Sequence, residues 1–119
     1  MPIEWSIKDD NLLEIIVTGQ LVYTEFQDIQ GHMATVIRDK GKCRLLVILK
    51  NFAGWDAAEG WADSSSTEET DPYIHKFAIV GEEKWRDMVE LFTLKGMRPI
   101  PIEYFPDDKE QAARDWLDN

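Results

Sequence analysis

Residues 75–85 read HKFAIVGEEKW, an apolar run that stops at Gly81 and passes directly into an amphipathic pattern. A single glycine followed by Glu82 and Glu83 disfavours phosphate binding at this junction, because the carboxylates would repel the anion. Phe77 to Val80 predicts a strand, and a strand that leads at once into a helix is typical of α/β proteins. The helix is indicated by apolar residues at helical spacing, which are Trp85, Met88, Val89 and Phe92.

The N-terminal part of the chain begins with two predicted strands and a helix. Ile3 to Ile7 and Leu12 to Thr18 flank four polar, turn-forming residues, which predicts an antiparallel hairpin. The helix that follows is predicted to have Thr24 as its N-cap and to end at Gly41. Its predicted apolar stripe consists of Phe26, Ile29, Met33, Val36 and Ile37.

The middle of the chain predicts a buried strand and a weakly apolar second helix. Leu45 to Leu49 is a continuous apolar run, as expected for a strand that is covered on both faces of a parallel sheet. After a turn at residues 51–54, a second helix is predicted, and it runs into the polar segment 63–72. The residues on or near its apolar face are Trp55, Ala58, Trp61 and Ala62.

The C-terminal part predicts an edge strand and a last helix. Ile100, Ile102 and Tyr104 alternate as in a strand, and the nearby Pro99 and Pro101 cannot donate ladder hydrogen bonds, so this strand should lie at an edge. Asp107 and Glu110 predict the N-terminal cap of a helix that buries Ala113, Trp116 and Leu117.

The predicted order of elements is β-β-α-β-α-β-α-β-α. Right-handed crossovers between such short units generate a parallel sheet, which the N-terminal hairpin extends. We therefore predict a single α/β domain over residues 1–119, with a mixed, mainly parallel five-stranded sheet and four helices.

The composition excludes several classes of partner. The chain of 119 residues has a formal net charge of -10, and its 13 lysines and arginines are scattered, which argues against nucleic acid. No apolar run approaches the roughly 20 residues that a membrane span needs. The N-terminus lacks the pattern of a secretion signal, and the single cysteine cannot form an intrachain disulfide. We expect a cytoplasmic protein.

Three motifs carry a resemblance to a known family. They are Gly54-Trp55 after the central strand, the run FAIVG at 77–81 leading into Lys84-Trp85, and AARDWL at 112–117. With these motifs in this order of elements, nearly the whole chain resembles the bacterial SpoIIAA-like family. The resemblance implies a STAS-like fold, built as a β-α superhelix and also likened to the lipid-carrying CRAL-TRIO domain. The biochemical role of the family is mostly unassigned.

The resemblance also shows a departure from the anti-sigma antagonists. Those proteins carry a phosphorylatable serine in an Asp-Ser-Ser-Gly-type motif, at the start of the helix after the central strand. This chain has FAGWD at residues 52–56, and its Asp63-Ser64-Ser65-Ser66 run comes later and lacks the glycine. The resemblance therefore implies a STAS-like domain without the phosphorylatable serine at that position.

Side chains suited to catalysis are isolated in the sequence. His32 and His75 have no second histidine or cysteine two to four residues away, as a metal site would need. Cys43 lies between Lys42 and Arg44, which would lower its pKa, but no base partner is identifiable. We expect no metal site, no cofactor and no enzymatic activity.

The tryptophans give the best indication of function. Trp55 and Trp61 lie on the predicted second helix, where only alanines support them, so this helix would act as a lid or expose an aromatic patch. We predict a non-enzymatic domain that binds a small apolar or lipid-like ligand between the sheet and the second and third helices. The expected lining is Phe52, Trp55, Trp61, Trp85, Met88 and Phe92.

A regulatory protein–protein interaction domain is the alternative prediction. The same aromatic side chains would then contact another protein, or a second copy of the chain in a homodimer. A ligand that co-purifies with the protein would favour the first interpretation, and a mass that depends on concentration would favour the second.

Overall fold

The computed structural model describes residues 3–8, 11–55, 71–93 and 100–118. Two short 3-10 helices, Asp71–Tyr73 and Glu83–Trp85, lie directly before a strand and a helix, respectively. The strands and α-helices of the described residues are, in order, β1 (Ile3–Lys8), β2 (Leu12–Thr18), α1 (Tyr23–Lys40), β3 (Cys43–Lys50), β4 (Ile74–Gly81), α2 (Arg86–Phe92), β5 (Ile102–Pro106) and α3 (Glu110–Asp118).

The strands form one five-stranded sheet in the order β1-β2-β3-β4-β5. β1 pairs antiparallel with β2, and the other three pairings are parallel, which confirms the predicted mixed, mainly parallel sheet. The register places one row of large side chains across all five strands, on one face: Trp5, Ile15, Val47, Ile79 and Tyr104.

That face of the sheet, which we call the wide face, carries the larger apolar core. α1 and α2 pack on it, with Ile37 and Val89 only 2% and 5% exposed. α1 ends as predicted at Gly41, whose φ of 83° is left-handed and whose N–H donates to the carbonyl of Ile37 at 3.0 Å. Burial of this apolar surface is the main stabilising contribution of the fold.

The predicted N-cap of α1 is wrong. The helix begins at Tyr23, so Thr24 lies inside it, and Val22 occupies the cap position without a side-chain hydrogen bond. The reason is that Leu21 pairs with Trp55 in a short parallel bridge, which keeps the backbone extended up to Val22. Tertiary pairing has therefore decided where this helix starts.

The opposite face, which we call the narrow face, is covered by α3. Ala113 and Leu117 of this helix pack on Leu46 and Ala78, and all four are at most 2% exposed. α3 begins at Glu110, and the carbonyl of Lys109 accepts its first hydrogen bond, so the predicted cap at Asp107 is wrong.

Polar contacts fasten α3 to the sheet. The Nζ of Lys76 donates to the carbonyl of Trp116 at 2.8 Å, and the guanidinium of Arg44 donates to the carbonyl of Leu117 at 3.3 Å and to the carboxylate of Asp118 at 2.6 Å. Two cations of adjacent strands thus satisfy the last carbonyls of the helix and lie at the negative end of its dipole.

A second ion pair lies further along the narrow face. Arg114 donates two hydrogen bonds to the carboxylate of Glu14 on β2, at 3.1 and 3.2 Å, and a third to Glu110. Glu14 is only 9% exposed, so the paired arginine offsets the cost of burying its charge. Next to Glu14 lies a depression of about 130 Å³, whose lining is Glu4, Trp5, Ser6, Glu14 and Ile16.

Three of the four predicted helices lie among the described residues, as α1, α2 and α3. The predicted second helix falls on residues 55–62, and all but Trp55 lie outside the described part of the chain. Trp55 itself was predicted to be helical, and this is wrong, because it is extended and pairs with Leu21. None of the described helices is long and apolar enough to cross a membrane.

Candidate functional site

An aromatic cluster lies at the carboxyl ends of β3 and β4. Phe52 follows β3, Trp85 follows β4, and Trp55 lies beside both. The ring centroids are 5.1 Å apart for Phe52 and Trp55, 5.0 Å for Phe52 and Trp85, and 6.1 Å for the two tryptophans. Each pair is edge-on, the geometry that aromatic quadrupoles favour. We call these three residues the aromatic cluster.

A tight turn brings the aromatic cluster together. Asn51 and Gly54 have positive φ values of 51° and 94°, so the chain reverses directly after β3. A Cβ on Gly54 would lie 3.3 Å from Cη2 of Trp85, so a glycine allows both the left-handed backbone and the close approach of the indole ring. The turn thereby places Trp55 beside the sheet edge.

The aromatic cluster contains three of the six residues predicted to line a ligand site. Phe52 is 6% exposed and belongs to the wide-face core, and Trp55 and Trp85 pack against that core. The rings contact one another directly, so a ligand would have to separate them or lie against their outer surface. Trp61 and the side chain of Phe92 lie outside the described part of the structure.

Met88 does not join the cluster. It is 52% exposed, and Leu91, one turn further along α2, is 77% exposed, whereas Val89 is buried. The predicted stripe is therefore wrong at Met88. Residues 83–85 form a 3-10 turn, which advances about 120° per residue instead of about 100°, and this changes which residues of α2 face the sheet.

Leu91 is an exposed apolar residue that the sequence interpretation missed. It follows Met88 at a spacing of three, so the two side chains are neighbours on one helix face. That spacing was visible in the sequence, but the periodicity was assigned to Trp85, Met88, Val89 and Phe92 instead. We call Met88 and Leu91 the α2 apolar pair.

The indole nitrogen of Trp85 and one carboxylate oxygen of Glu25, in the first turn of α1, are buried without a hydrogen-bond partner among the described residues. A buried donor or acceptor without a partner is costly, and such atoms are often paired with water or a ligand. The Trp85 nitrogen is thus a buried donor within the aromatic cluster.

Tyr104 lies on β5, the outer strand next to β4. Its hydroxyl donates to the carbonyl of Glu82 at 2.8 Å, and burial raises the pKa of Tyr104 to about 12. The guanidinium carbon of Arg86 lies 5.3 Å from the ring centroid of Tyr104, and Arg86 also donates two hydrogen bonds to Glu83. The hydrogen bond from Arg86 lowers the pKa of the Glu83 carboxyl. A neutral hydroxyl bound to a backbone carbonyl is poorly suited to proton transfer.

The residues considered for catalysis or metal binding do not come together in the structure. His32 and His75 are exposed, on α1 and β4 respectively. Cys43 is 3% exposed, and its thiol donates to the carbonyl of Gly41 at 3.4 Å. Within the described residues, no three histidine, cysteine or acidic side chains form a group that could hold a metal ion.

The segment directly after β3 has a clear structural role. Phe52 and Gly54 build the turn and the aromatic cluster after β3, and residues 63–66 lie outside the described ranges. An apolar ring thus occupies the position after the central strand.

Comparisons with known proteins agree on one fold. An uncharacterized protein of the DUF3478 family with a SpoIIAA-like fold, from Shewanella loihica PV-4, has a TM-score of 0.72 at 15% identity, over 97% of this chain and 91% of that chain. The anti-sigma factor antagonist SpoIIAA, in its unphosphorylated form, has a TM-score of 0.66 at 11% identity, over 96% of this chain and 97% of that chain. No curated protein matches the chain.

These similarities indicate no enzymatic family, and they give no support to the expected likeness to CRAL-TRIO domains or to lipid binding. The sequence profile of the SpoIIAA-like family matches residues 12–118, which covers the described sheet from β2 onward, the aromatic cluster and all three described helices. The chain belongs to the SpoIIAA-like family.

Proposed function

We propose that this domain is a non-enzymatic regulatory module that binds another protein through the α2 apolar pair. The observation that carries the proposal is the exposure of Met88 and Leu91, at 52% and 77%, on the same face of one helix. Exposed apolar side chains that adjoin one another are typical of interaction surfaces.

The charge around the pair favours a partner with basic residues. The segment from residue 82 to residue 91 holds Glu82, Glu83, Asp87 and Glu90 against two cations, and the whole chain has a formal net charge of -10. A partner surface with apolar residues surrounded by lysine or arginine would complement this helix in both respects. One structural neighbour is named an anti-sigma factor antagonist, a description of action on another protein.

The test is a comparison of co-purifying proteins from the native host. The double variant Met88→Ser/Leu91→Ser should lose a partner that the wild-type protein retains, because both apolar anchors are removed. Tyr73→Ser is a matched control, since Tyr73 is a large side chain with 37% exposure in a different element. A partner that binds the double variant as tightly as the wild-type protein, measured by calorimetry with purified components, would contradict the proposal.

A second candidate function is the binding of a small apolar ligand at the aromatic cluster. It is favoured by the indole nitrogen of Trp85, which is buried without a hydrogen-bond partner among the described residues. The lining predicted from the sequence is Phe52, Trp55, Trp61, Trp85, Met88 and Phe92. Met88 is exposed and does not join the aromatic cluster, so the proposed lining is the other five residues.

Organic extraction of the purified protein, followed by mass spectrometry, tests this second function. A compound recovered from the wild-type protein in a stoichiometric amount, and lost from Trp85→Phe, would support it. Trp85→Phe keeps an aromatic ring but removes the indole N–H, so a folded variant isolates that donor. Extracts that contain no compound above the background of an unrelated protein would contradict it.

A further inference from the structure

The two outer strands of the sheet differ in how well they are protected. β5 ends with Pro106 and is preceded by Pro101, and prolines hinder further strand pairing because they lack an N–H donor. β1 pairs with β2 on one side, and no other described strand pairs with its second side. β1 has six residues and contains no proline.

The sequence of β1 is complementary to itself in one antiparallel register. If two copies of β1 lie side by side with Ser6 opposite Ser6, then Glu4 of each copy lies opposite Lys8 of the other. In the same register Trp5 lies opposite Ile7. Cross-strand pairs of opposite charge and of apolar residues both stabilise a sheet.

The faces of the sheet select this register. Trp5 belongs to the row on the wide face, so the alternation of side chains along a strand places Ile7 there as well, with Glu4, Ser6 and Lys8 on the other side. Two sheets that join with their wide faces on the same side must pair residues of the same face. The symmetry axis then passes midway between the two copies of one residue, and an axis between the two copies of Ser6 places Glu4 of each copy opposite Lys8 of the other.

Side chains of β1 are exposed, as expected if a second chain covers this strand. Ile7 is 41% exposed although its neighbour in the register, Leu13, is 1% exposed. Glu4, Ser6 and Lys8 are exposed as well, and Trp5 is half-buried. A second copy would cover Ile7 with the indole of its own Trp5.

We infer that β1 pairs antiparallel with β1 of a second copy, about a two-fold axis at Ser6, and that the dimer has a continuous ten-stranded sheet. This surface lies on a different element from the α2 apolar pair, so the dimer does not depend on the proposed function. It is an isologous interface, in which each copy offers the same strand.

A cysteine at the axis tests the register. Directly opposed residues of antiparallel strands have Cα atoms about 4.5–5.5 Å apart, within the range of a disulfide bond. Ser6→Cys should therefore form a covalent dimer under mild oxidation. Glu4→Cys is the matched control, because the two copies of residue 4 would be about 13 Å apart in this register. The covalent dimer of Ser6→Cys should exceed that of Glu4→Cys by about tenfold or more.

Charge exchange tests the same interface without a covalent bond. Glu4→Lys and Lys8→Glu each place like charges opposite one another twice, so each should weaken the dimer by about tenfold. The double variant Glu4→Lys/Lys8→Glu should recover the wild-type dissociation constant, and an equimolar mixture of the two single variants should form a heterodimer. Asp28→Lys, an exposed site on α1, controls for the change in net charge.

Sedimentation equilibrium and light scattering give the mass, and circular dichroism checks that each variant is folded. A dimer that follows this pattern supports the inference. A wild-type protein that is monomeric at every concentration overturns it, and so does a dimer that is unaffected by both single charge variants. Equal cross-linking of Ser6→Cys and Glu4→Cys would show that the strands do not pair in this register.

Discussion

The two faces of the sheet are held to their helices by different interactions. The wide face carries an apolar core that reaches from Ile3 to Tyr104 and is extended by the aromatic cluster at one end. The narrow face has a smaller core around Leu46 and Ala78, and charged side chains bind its helix to the sheet at the middle and at the C-terminal end of the helix. The helices on the wide face are thus held mainly by apolar burial. The helix on the narrow face is held by apolar burial together with hydrogen bonds and ion pairs.

This difference shows how α3 is positioned on the narrow face. α1 has 18 residues, and it can bury several turns of side chains, whereas α3 has nine. A helix of nine residues is marginal by itself in water. The hydrogen bonds from Lys76, Arg44 and Arg114 fix its orientation, while Ala113 and Leu117 supply the burial.

The largest effects should come from equal truncations on the two faces. Leu13→Ala on the wide face and Leu46→Ala on the narrow face should each lower the free energy of unfolding by about 3 kcal/mol, because both leave cavities. The two leucines are 1% and 0% exposed. Chemical denaturation gives both values.

Leu91→Ala is the matched control for these truncations, since Leu91 is 77% exposed and its loss should change the free energy of unfolding by less than about 0.5 kcal/mol. A loss below about 1 kcal/mol at Leu46 would mean that polar contacts alone hold the narrow face.

Gly81→Ala should have the next largest effect, because the new Cβ would lie 2.6 Å from the hydroxyl oxygen of Tyr104 and 3.0 Å from a methyl group of Leu49. Overpacking of this kind costs about 1–3 kcal/mol. The cost should be smaller in a Tyr104→Phe background, where the nearest atom is absent. Thermal unfolding of the single and double variants measures this coupling, and strict additivity would count against a direct clash.

Lys76→Met should lower the free energy of unfolding by about 1 kcal/mol, because a charge-assisted hydrogen bond to the end of α3 is lost. Lys76 also lies over the ring of Trp116, at 4.9 Å from Nζ to the centroid. Lys84→Met is the matched control, since Lys84 lies 5.7 Å from the ring centroid of Trp85 but its side chain is 66% exposed. If both variants lowered the free energy of unfolding equally, the hydrogen bond from Lys76 would not specifically stabilise the narrow face.

The smallest effect should appear only at high pH. The folded-state pKa of Tyr104, about 12, lies above the ordinary value of 10.0, so the neutral hydroxyl is the form that the fold stabilises. Its contribution is complete below pH 10 and is lost as the pH rises toward 12. The difference between the absorbance titrations of the wild-type protein and Tyr104→Phe should show this late ionisation. A difference centred near pH 10 would contradict the burial of the hydroxyl.

The sequence predicted the sheet well because its strands have strong local signals. Leu45 to Leu49 and Phe77 to Val80 are continuous apolar runs, and both are central strands in the structure. The caps were less predictable, because the start of α1 depends on the pairing of Leu21 with Trp55, 34 residues away in the sequence. Local capping patterns contain no information about such a contact.

The candidate site was predicted only in part. Phe52, Trp55 and Trp85 come together, but Met88 faces solvent because a 3-10 turn precedes α2 and shifts its helical phase. The hydrogen bonds from Lys76 and Arg44 to the end of α3 could not be predicted. Their partners, Trp116 and Leu117, lie 40 and 73 positions away in the sequence, and only tertiary packing brings them together. Charged residues flanking an apolar strand look in sequence like an ordinary solvated boundary.

The prolines of β5 limit how many chains can join through strand pairing. A sheet joined through two copies of β1 would end on both sides in β5, where Pro101 and Pro106 lack the donors that a third copy would need. Association through the open edge consumes that edge, so the product is closed at two chains. The protein would thereby gain a larger sheet without the open-ended stacking that leads to fibres.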